Sequence, residues 1–139
     1  MGRVMAVDWG SKRVGVAISD ETRTIARPLQ TLESKSSESA AKKIAAIASE
    51  WEVEEVVVGL PLHMDGTEGA SAIGSKKLAE ELGARLPGVR LVLVDERLSS
   101  VRAEAILRER GEKFRGRKER LDQVAASLLL QEYLDSRCP

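Results

Sequence analysis

Carboxylate side chains stand where two apolar runs end, in VMAVD at Asp8 and in LVLVDE at Asp95 and Glu96. A buried strand gains nothing from an ionised group unless its end forms a site. If the two strands run parallel, both ends lie at one edge of the sheet, where open α/β sheets bind their ligands. Asp122 is a further acid, which we expect in the first turn of the last helix, on a face that packs against the sheet.

Carboxylates gathered in this way repel one another, and a divalent metal ion is the usual compensation. Oxygen ligands without nearby histidine or thiolate favour hard ions such as Mg²⁺ or Mn²⁺ over zinc. Such ions activate a water and stabilise the leaving oxygen in phosphodiester hydrolysis. The four acids therefore predict a metal-dependent nuclease site.

Each acid also has a structural explanation. Asp8, before Trp9 and Gly10, could start a turn, and Asp95 and Glu96 could pair with Arg97 or cap a helix. Asp122 could simply favour a helix N-terminus through the helix dipole. Their convergence at one edge is what favours chemistry.

A basic segment, GEKFRGRKER, directly precedes the last helix. It could be a solvated loop, but its position beside the proposed metal site suits phosphate binding. Lys12, Arg13 and Arg97 are further candidates for contact with a phosphate backbone. The basic residues of the segment are Lys113, Arg115, Arg117, Lys118 and Arg120.

Apolar runs predict the strands that position these residues. Val4 to Val7 and Val14 to Ile18 are too close for a crossover helix, so we expect a hairpin, with Gly10 free to take a positive φ. A strand through Ala26 to Leu32 should lie at a sheet edge because of Pro28. Two more strands are predicted at 56–58 and 89–94.

Helical periodicity and capping residues predict four helices. The first follows the N-cap candidates at 36–39, and the others cover about 70–86, 101–110 and 121–134. The element order predicts an α/β fold: a three-stranded antiparallel meander extended by two parallel strands into a mixed five-stranded sheet, with helices on both faces. Trp9 and Trp51 are expected to be packing residues.

The composition of the chain bears on the number of domains, the kind of partner and the location of the protein. The 139 residues fit one domain, 1–139, and 22 basic residues balance 22 acidic ones, so a polyanionic partner must be bound by local clusters. The single cysteine, Cys138, can form no internal disulfide, and His63, the single histidine, lies in a predicted loop. Neither a signal peptide nor a membrane span is evident, so we expect a cytoplasmic protein that does not contact membranes.

Five segments together resemble the YqgF (RuvX) family of RNase H-like nucleases. They are DWGSKRVGVA, ARPL, VGLPLHMDGTEG, DERLSS and LDQVAASLLLQEYLD, in that order along essentially the whole chain. The family is described both as Holliday junction resolvases and as nucleases that process the 5′ end of precursor 16S ribosomal RNA. The resemblance implies an RNase H-like fold with Asp8, Glu96 and Asp122 as catalytic, metal-binding carboxylates.

Two points of the resemblance bear on the site. Family members typically carry Asn where His63 stands and Thr where Ser100 stands. In related RNase H-like resolvases the second acid follows the strand after the first crossover helix, whereas that strand ends here in VVVGLP. The acid supplied by DER is one strand farther along, so Glu96 and Asp95 both remain candidates for the second ligand, with Asp65 in reserve.

Four possible functions follow from these observations. The first is processing of precursor ribosomal RNA, which a monomer could perform; resolution of DNA junctions, which needs two active sites and hence a homodimer, is the alternative. DWGSKRVG also resembles the first phosphate loop of actin-like ATPases and sugar kinases, but a second such loop and an adenosine site are not evident. The last possibility is a nucleic-acid-binding module without chemistry.

Overall fold

The computed structural model describes residues 2–10, 12–33, 35–61, 65–95 and 117–137, and within the last helix it describes the side chains of 124–136. Three helices and five strands lie in these ranges, and the helix predicted over 101–110 lies outside them. The helices are α1 (Ser37–Glu50), α2 (Ala70–Arg85) and α3 (Arg117–Arg137); the strands are β1 (Arg3–Trp9), β2 (Arg13–Ser19), β3 (Ala26–Glu33), β4 (Val53–Leu60) and β5 (Arg90–Asp95).

The five strands form one mixed sheet in the order β3-β2-β1-β4-β5. The first three strands are an antiparallel meander, and β4 and β5 continue from β1 in parallel. This confirms the predicted fold class, and β3 lies at the edge as Pro28 indicated. Because β4 lies between β1 and β5, Asp95 at the end of β5 is two strands from Asp8.

The tight turn between β1 and β2 needs Gly10 for a reason other than the predicted one. The Gly10 N–H donates to the Arg13 carbonyl oxygen at 2.9 Å. A Cβ atom at Gly10 would lie 2.7 Å from that same oxygen, so a larger residue would have to push the turn apart. Among the described glycines, Gly66 and Gly88 have positive φ and Gly10 does not. The expectation of a positive φ was therefore wrong.

One face of the sheet is covered by α1 and α2. Met5, Val7, Val16 and Val58 point to this face and pack against Ile44, Leu78 and Leu82 of the helices. Helix α1 begins after Ser36, whose Oγ accepts a hydrogen bond from the Ser39 N–H at 3.1 Å, as the N-cap candidates predicted. Trp9 and Trp51 are partly buried against this core, which confirms them as packing residues.

The other face is covered by α3, which packs over β1, β2 and β3. Its buried residues Ala126, Leu129 and Leu130 contact Val4 and Ala6 and their neighbours. We call this the α3 face of the sheet. Within the described part of the chain, no helix is long and apolar enough to cross a membrane.

Candidate active site

Asp8 lies on the α3 face, near the carboxyl end of β1. Val4 and Ala6 belong to the core under α3, whereas Met5 and Val7 belong to the core on the opposite side. Because side chains alternate along a strand, Asp8 continues the row of Val4 and Ala6. Its half-buried carboxylate is thus carried by the strand itself, one residue before the strand ends, and not by the following turn.

Two glycines flank Asp8 on this face. Asp8 pairs with Gly15 on β2. On the other side Val7 pairs with Val58, so Gly59 of β4 is next to Asp8, and Gly59 in turn pairs with Val94 of β5. Cross-strand neighbours point to the same face, and both glycines are buried. The residues directly beside Asp8 on both neighbouring strands are therefore glycines, which present backbone on this face.

Helix α3 runs with its first turns towards the carboxyl end of β1. Its later part is tied to the opposite end of the sheet, since Gln131 accepts a hydrogen bond from the Ala26 N–H at 2.9 Å. Ala26 begins β3 and pairs with Ser19 at the end of β2, beside the start of β1. The backbone of Asp122, nine residues earlier in α3 than Gln131, accordingly lies towards Asp8.

Asp95 belongs to the opposite face of the sheet. It is the last residue of β5 and is exposed. Val94 packs in the core under α3 and Leu91 packs in the core under α1 and α2, so the alternation of β5 assigns Asp95 to the side of Leu91. The structure therefore does not bring Asp95 onto the face of Asp8. Glu96 lies outside the described residues.

The structure describes some of the basic residues that were predicted to contact a phosphate backbone. Lys12 is exposed in the turn after β1, and Arg13 opens β2, opposite Glu33 of β3. Both belong to the end of the hairpin that carries Asp8. Arg117 and Lys118 form the first turn of α3. Three further candidates, Arg97, Lys113 and Arg115, lie outside the described residues.

The loop after β4 is described from Asp65 onwards. The Asp65 carboxylate accepts hydrogen bonds from the Thr67 N–H at 2.9 Å and from the Thr67 hydroxyl at 2.7 Å. This is a local turn contact, which accounts for Asp65 without a metal ion. His63 lies outside the described residues.

Comparison with known proteins identifies the family. A family model described as "RuvX: Holliday junction resolvase" matches residues 2–136. The chain belongs to the RuvX family. This confirms the resemblance found in its five motifs, and it makes the chain a nuclease, a hydrolase of phosphodiester bonds whose substrate is nucleic acid.

Relatives of the RuvX chain are similar over nearly their whole length. A protein of Anaeromyxobacter sp. (strain Fw109-5), named "Putative pre-16S rRNA nuclease", is 47% identical over 135 residues, which are 97% of this chain and 98% of the relative. A protein of Nitrosospira multiformis with the same name is 45% identical over 136 residues, covering 98% of this chain and 89% of the relative.

Solved structures support the RNase H-like fold. The RuvC protein of T. thermophilus, in complex with a Holliday junction substrate, superposes with a TM-score of 0.58 at 15% identity, covering 99% of this chain and 96% of that one. The fowlpox virus Holliday junction resolvase gives a TM-score of 0.59 at 15% identity, with 96% and 99% covered. The predicted fold class is thereby confirmed.

The chemistry around Asp8 suits a divalent metal ion, on which nucleases of the RuvC-like group depend. The carboxylate offers hard oxygen donors, and the residues beside it on both neighbouring strands are glycines. Among the three proposed carboxylates, Asp8 is the residue whose side chain is described. The two glycines were not singled out from the sequence, although each lies on a strand next to β1 and belongs to the same face of the sheet as Asp8.

Proposed function

We propose that this RuvX protein removes nucleotides at the 5′ end of precursor 16S ribosomal RNA in the cytoplasm. The observation that carries the proposal is the half-buried Asp8 at the carboxyl end of β1, between two glycines and on the face covered by α3. This supplies a carboxylate, partly accessible to solvent, at one edge of the sheet. The choice of substrate is supported by the names of the full-length relatives.

The metal ion is proposed to be Mg²⁺ or Mn²⁺, held by Asp8, Glu96 and Asp122. Asp95 is on the opposite face of the sheet, which favours Glu96 as the acid supplied by DER. Asp122 is supported by the direction of α3, which runs towards the Asp8 end of β1. When bound, the ion supplies Lewis acidity that activates a water and stabilises the leaving oxygen.

The basic side chains are proposed to hold the nucleic-acid backbone. Lys12 and Arg13 stand at the end of the hairpin that carries Asp8, so a strand whose scissile phosphate lies at Asp8 passes close to both. They would bind phosphates without reading bases, because neither is presented in a base-recognition motif. We assign the same role to Arg97, Lys113, Arg115, Arg117 and Lys118.

Resolution of four-way DNA junctions is the second candidate, and its support is the description of the family model. A junction must be cut at two symmetric positions, so this activity needs a homodimer with two copies of the site. Trimming of an RNA end needs one copy, and we propose that the monomer is sufficient. Oligomeric state therefore separates the two candidates as sharply as substrate does.

The experiment compares two labelled substrates under one set of conditions. One is a precursor 16S fragment with its 5′ extension, and the other is a four-way junction; each is incubated with the protein and Mg²⁺ or Mn²⁺ while light scattering gives the molar mass. We expect shortening of the RNA from its 5′ side by a monomer. Paired cuts in the junction by a dimer, with the RNA left intact, would overturn the proposed substrate.

A further inference from the structure

Gln131 of α3 joins this helix to the beginning of β3 through both ends of its side-chain amide. Its Oε1 accepts from the Ala26 N–H at 2.9 Å, and its Nε2 donates to the Thr24 carbonyl oxygen at 2.9 Å. Nε2 also donates to Asp135 Oδ1 at 3.0 Å, within the same helix. The first two bonds reach main-chain atoms at the start of β3 and two residues before it, more than one hundred residues earlier in sequence, so they tie the helix to this end of the sheet.

The position of Gln131 determines where the start of α3 lies along the sheet. Asp122 precedes Gln131 by nine residues, about 13.5 Å along a helix axis. Ala26 pairs with Ser19, whose hydroxyl accepts from the Val4 N–H at 2.9 Å, so Gln131 is tied at the level of Val4.

The sheet spans a matching length. Asp8 follows Val4 by four residues in β1, about 13 Å along a strand. The distance from Gln131 to Asp122 along α3 and the distance from Val4 to Asp8 along β1 agree to within a helical turn. Helix α3 runs from the part of the sheet beside Val4 towards the part beside Asp8. Gln131 therefore fixes the level of Asp122 relative to Asp8.

We propose that Gln131 is a positioning residue of the nuclease site: by fixing α3 along its axis, it holds Asp122 at the level of Asp8. This inference rests on the proposed function, in which both acids bind the metal ion. Burial of Leu129 and Leu130 holds α3 against the sheet, but apolar burial is non-directional and selects an axial position less sharply than hydrogen bonds do. Two hydrogen bonds to main-chain atoms are directional, and metal ligands tolerate displacements of only a few tenths of an ångström.

The test uses two variants of Gln131 and one control on the same helix. Gln131→Met keeps the length of the side chain and removes both bonds to the sheet. Gln131→Asn keeps the amide on a side chain one carbon shorter, so it weakens the bonds to Ala26 and Thr24 without adding a charge and supplies a milder variant should the first fail to fold. Ser127→Ala is the control, since the Ser127 hydroxyl donates within the helix to the Val124 carbonyl oxygen at 2.8 Å.

Mn²⁺ binding is measured by calorimetry on the intact protein, beside the cleavage rate at saturating RNA and the KM for RNA. We expect Gln131→Met to weaken Mn²⁺ binding about tenfold, in the range found when partners that orient metal ligands are removed. The cleavage rate should fall while KM changes less than twofold, and Ser127→Ala should leave all three quantities unchanged. Gln131→Asn should lie between Gln131→Met and the native protein.

Two results would count against these proposals in different ways. If both folded Gln131 variants bind Mn²⁺ and cleave RNA as the native protein does, while Asp8→Asn is inactive, the positioning role is wrong and the nuclease site stands. If Asp8→Asn binds Mn²⁺ and cleaves RNA like the native protein, the proposed site itself is wrong.

Discussion

Gly74 of α2 lies directly against the indole ring of Trp9, the residue that follows Asp8 in β1. A Cβ atom at Gly74 would overlap Trp9 Nε1 and would lie 2.8 Å from Cε2 and 3.1 Å from Cδ1 of the same ring. The ring is held in the core on the side of the sheet opposite Asp8. The close approach of helix and strand thus fixes the end of the strand that carries the proposed metal ligand.

Gly74→Ala should therefore destabilise the protein, although alanine is the better helix former. The added methyl group must displace the indole ring, and overpacking of this kind costs about 1–3 kcal/mol. Urea unfolding gives the free energy difference. Gly83→Ala is the control on the same helix, because nothing lies within 4 Å of a Cβ there; it should stabilise by about 0.4–1 kcal/mol. Equal effects of the two substitutions would show that the Trp9 contact imposes no constraint.

Replacement of Glu96 and replacement of Asp95 should lower the cleavage rate to very different extents. Glu96→Gln is expected to slow cleavage on the order of 100-fold or more, since even the loss of a partner that orients a metal ligand costs about 10–100-fold in affinity or activity. Asp95→Asn should have a much smaller effect, because Asp95 is on the face of the sheet opposite Asp8. Single-turnover rates at saturating Mg²⁺ measure both. The reverse order would exchange the roles of these acids.

Lys12→Gln should weaken RNA binding without preventing cleavage. Lys12 is exposed at the end of the hairpin and supplies phosphate attraction but no nucleophile. The slope of log K against log salt should become shallower by about 1 on its loss. Lys77→Gln, which removes an exposed charge from α2, is the matched control and should leave the slope unchanged. A native slope in the Lys12 variant would remove this residue from the interface.

Asp20 should make the stability of the protein depend on pH in the acid range. The Thr22 hydroxyl, at 2.7 Å, and the N–H groups of Thr24 and Ile25 donate to its carboxylate and lower its pKa below the ordinary 3.8. A depressed folded-state pKa contributes stability above the unfolded value, and this contribution is lost as pH falls through the folded value.

The comparison of native protein with Asp20→Asn isolates that contribution. The difference in unfolding free energy between the two should be constant above about pH 5 and should shrink below the ordinary carboxyl pKa of 3.8. Thermal or urea unfolding between pH 2.5 and 7 measures it. A difference that grows towards low pH would contradict the assigned direction of the shift.

The sequence alone predicts the sheet well because its strands are short, apolar and β-branched. It is less informative where charge interrupts a strand: β4 begins at Val53, before the predicted start at 56, and includes Glu54 and Glu55. Glu55 is buried there and lies 3.6 Å from Arg90 on the neighbouring strand, a pairing that depends on the register of β4 and β5. Such a charge within a strand cannot be recognised until its partner strand is known.

The site shows the same division between local and tertiary information. Asp8 is singled out in the sequence because it ends an apolar run, and the position of Asp95 on the opposite face of the sheet follows only once alternation can be anchored on Val94. The glycines beside Asp8 become meaningful only when the register pairs Gly15 with Asp8. Gln131 could not be found from sequence, because its partners lie at the start of β3, far away along the chain.

The cleavage rate of Asp8→Asn tests the proposed nuclease site most directly. Native protein, Asp8→Asn and the exposed control Glu50→Gln are compared on the precursor 16S fragment at saturating RNA and Mg²⁺. The expected result is a loss on the order of 100-fold or more for Asp8→Asn, with RNA still bound and Glu50→Gln as active as the native protein. An Asp8→Asn protein that cleaves within twofold of the native rate would contradict the assignment of Asp8 as a metal ligand.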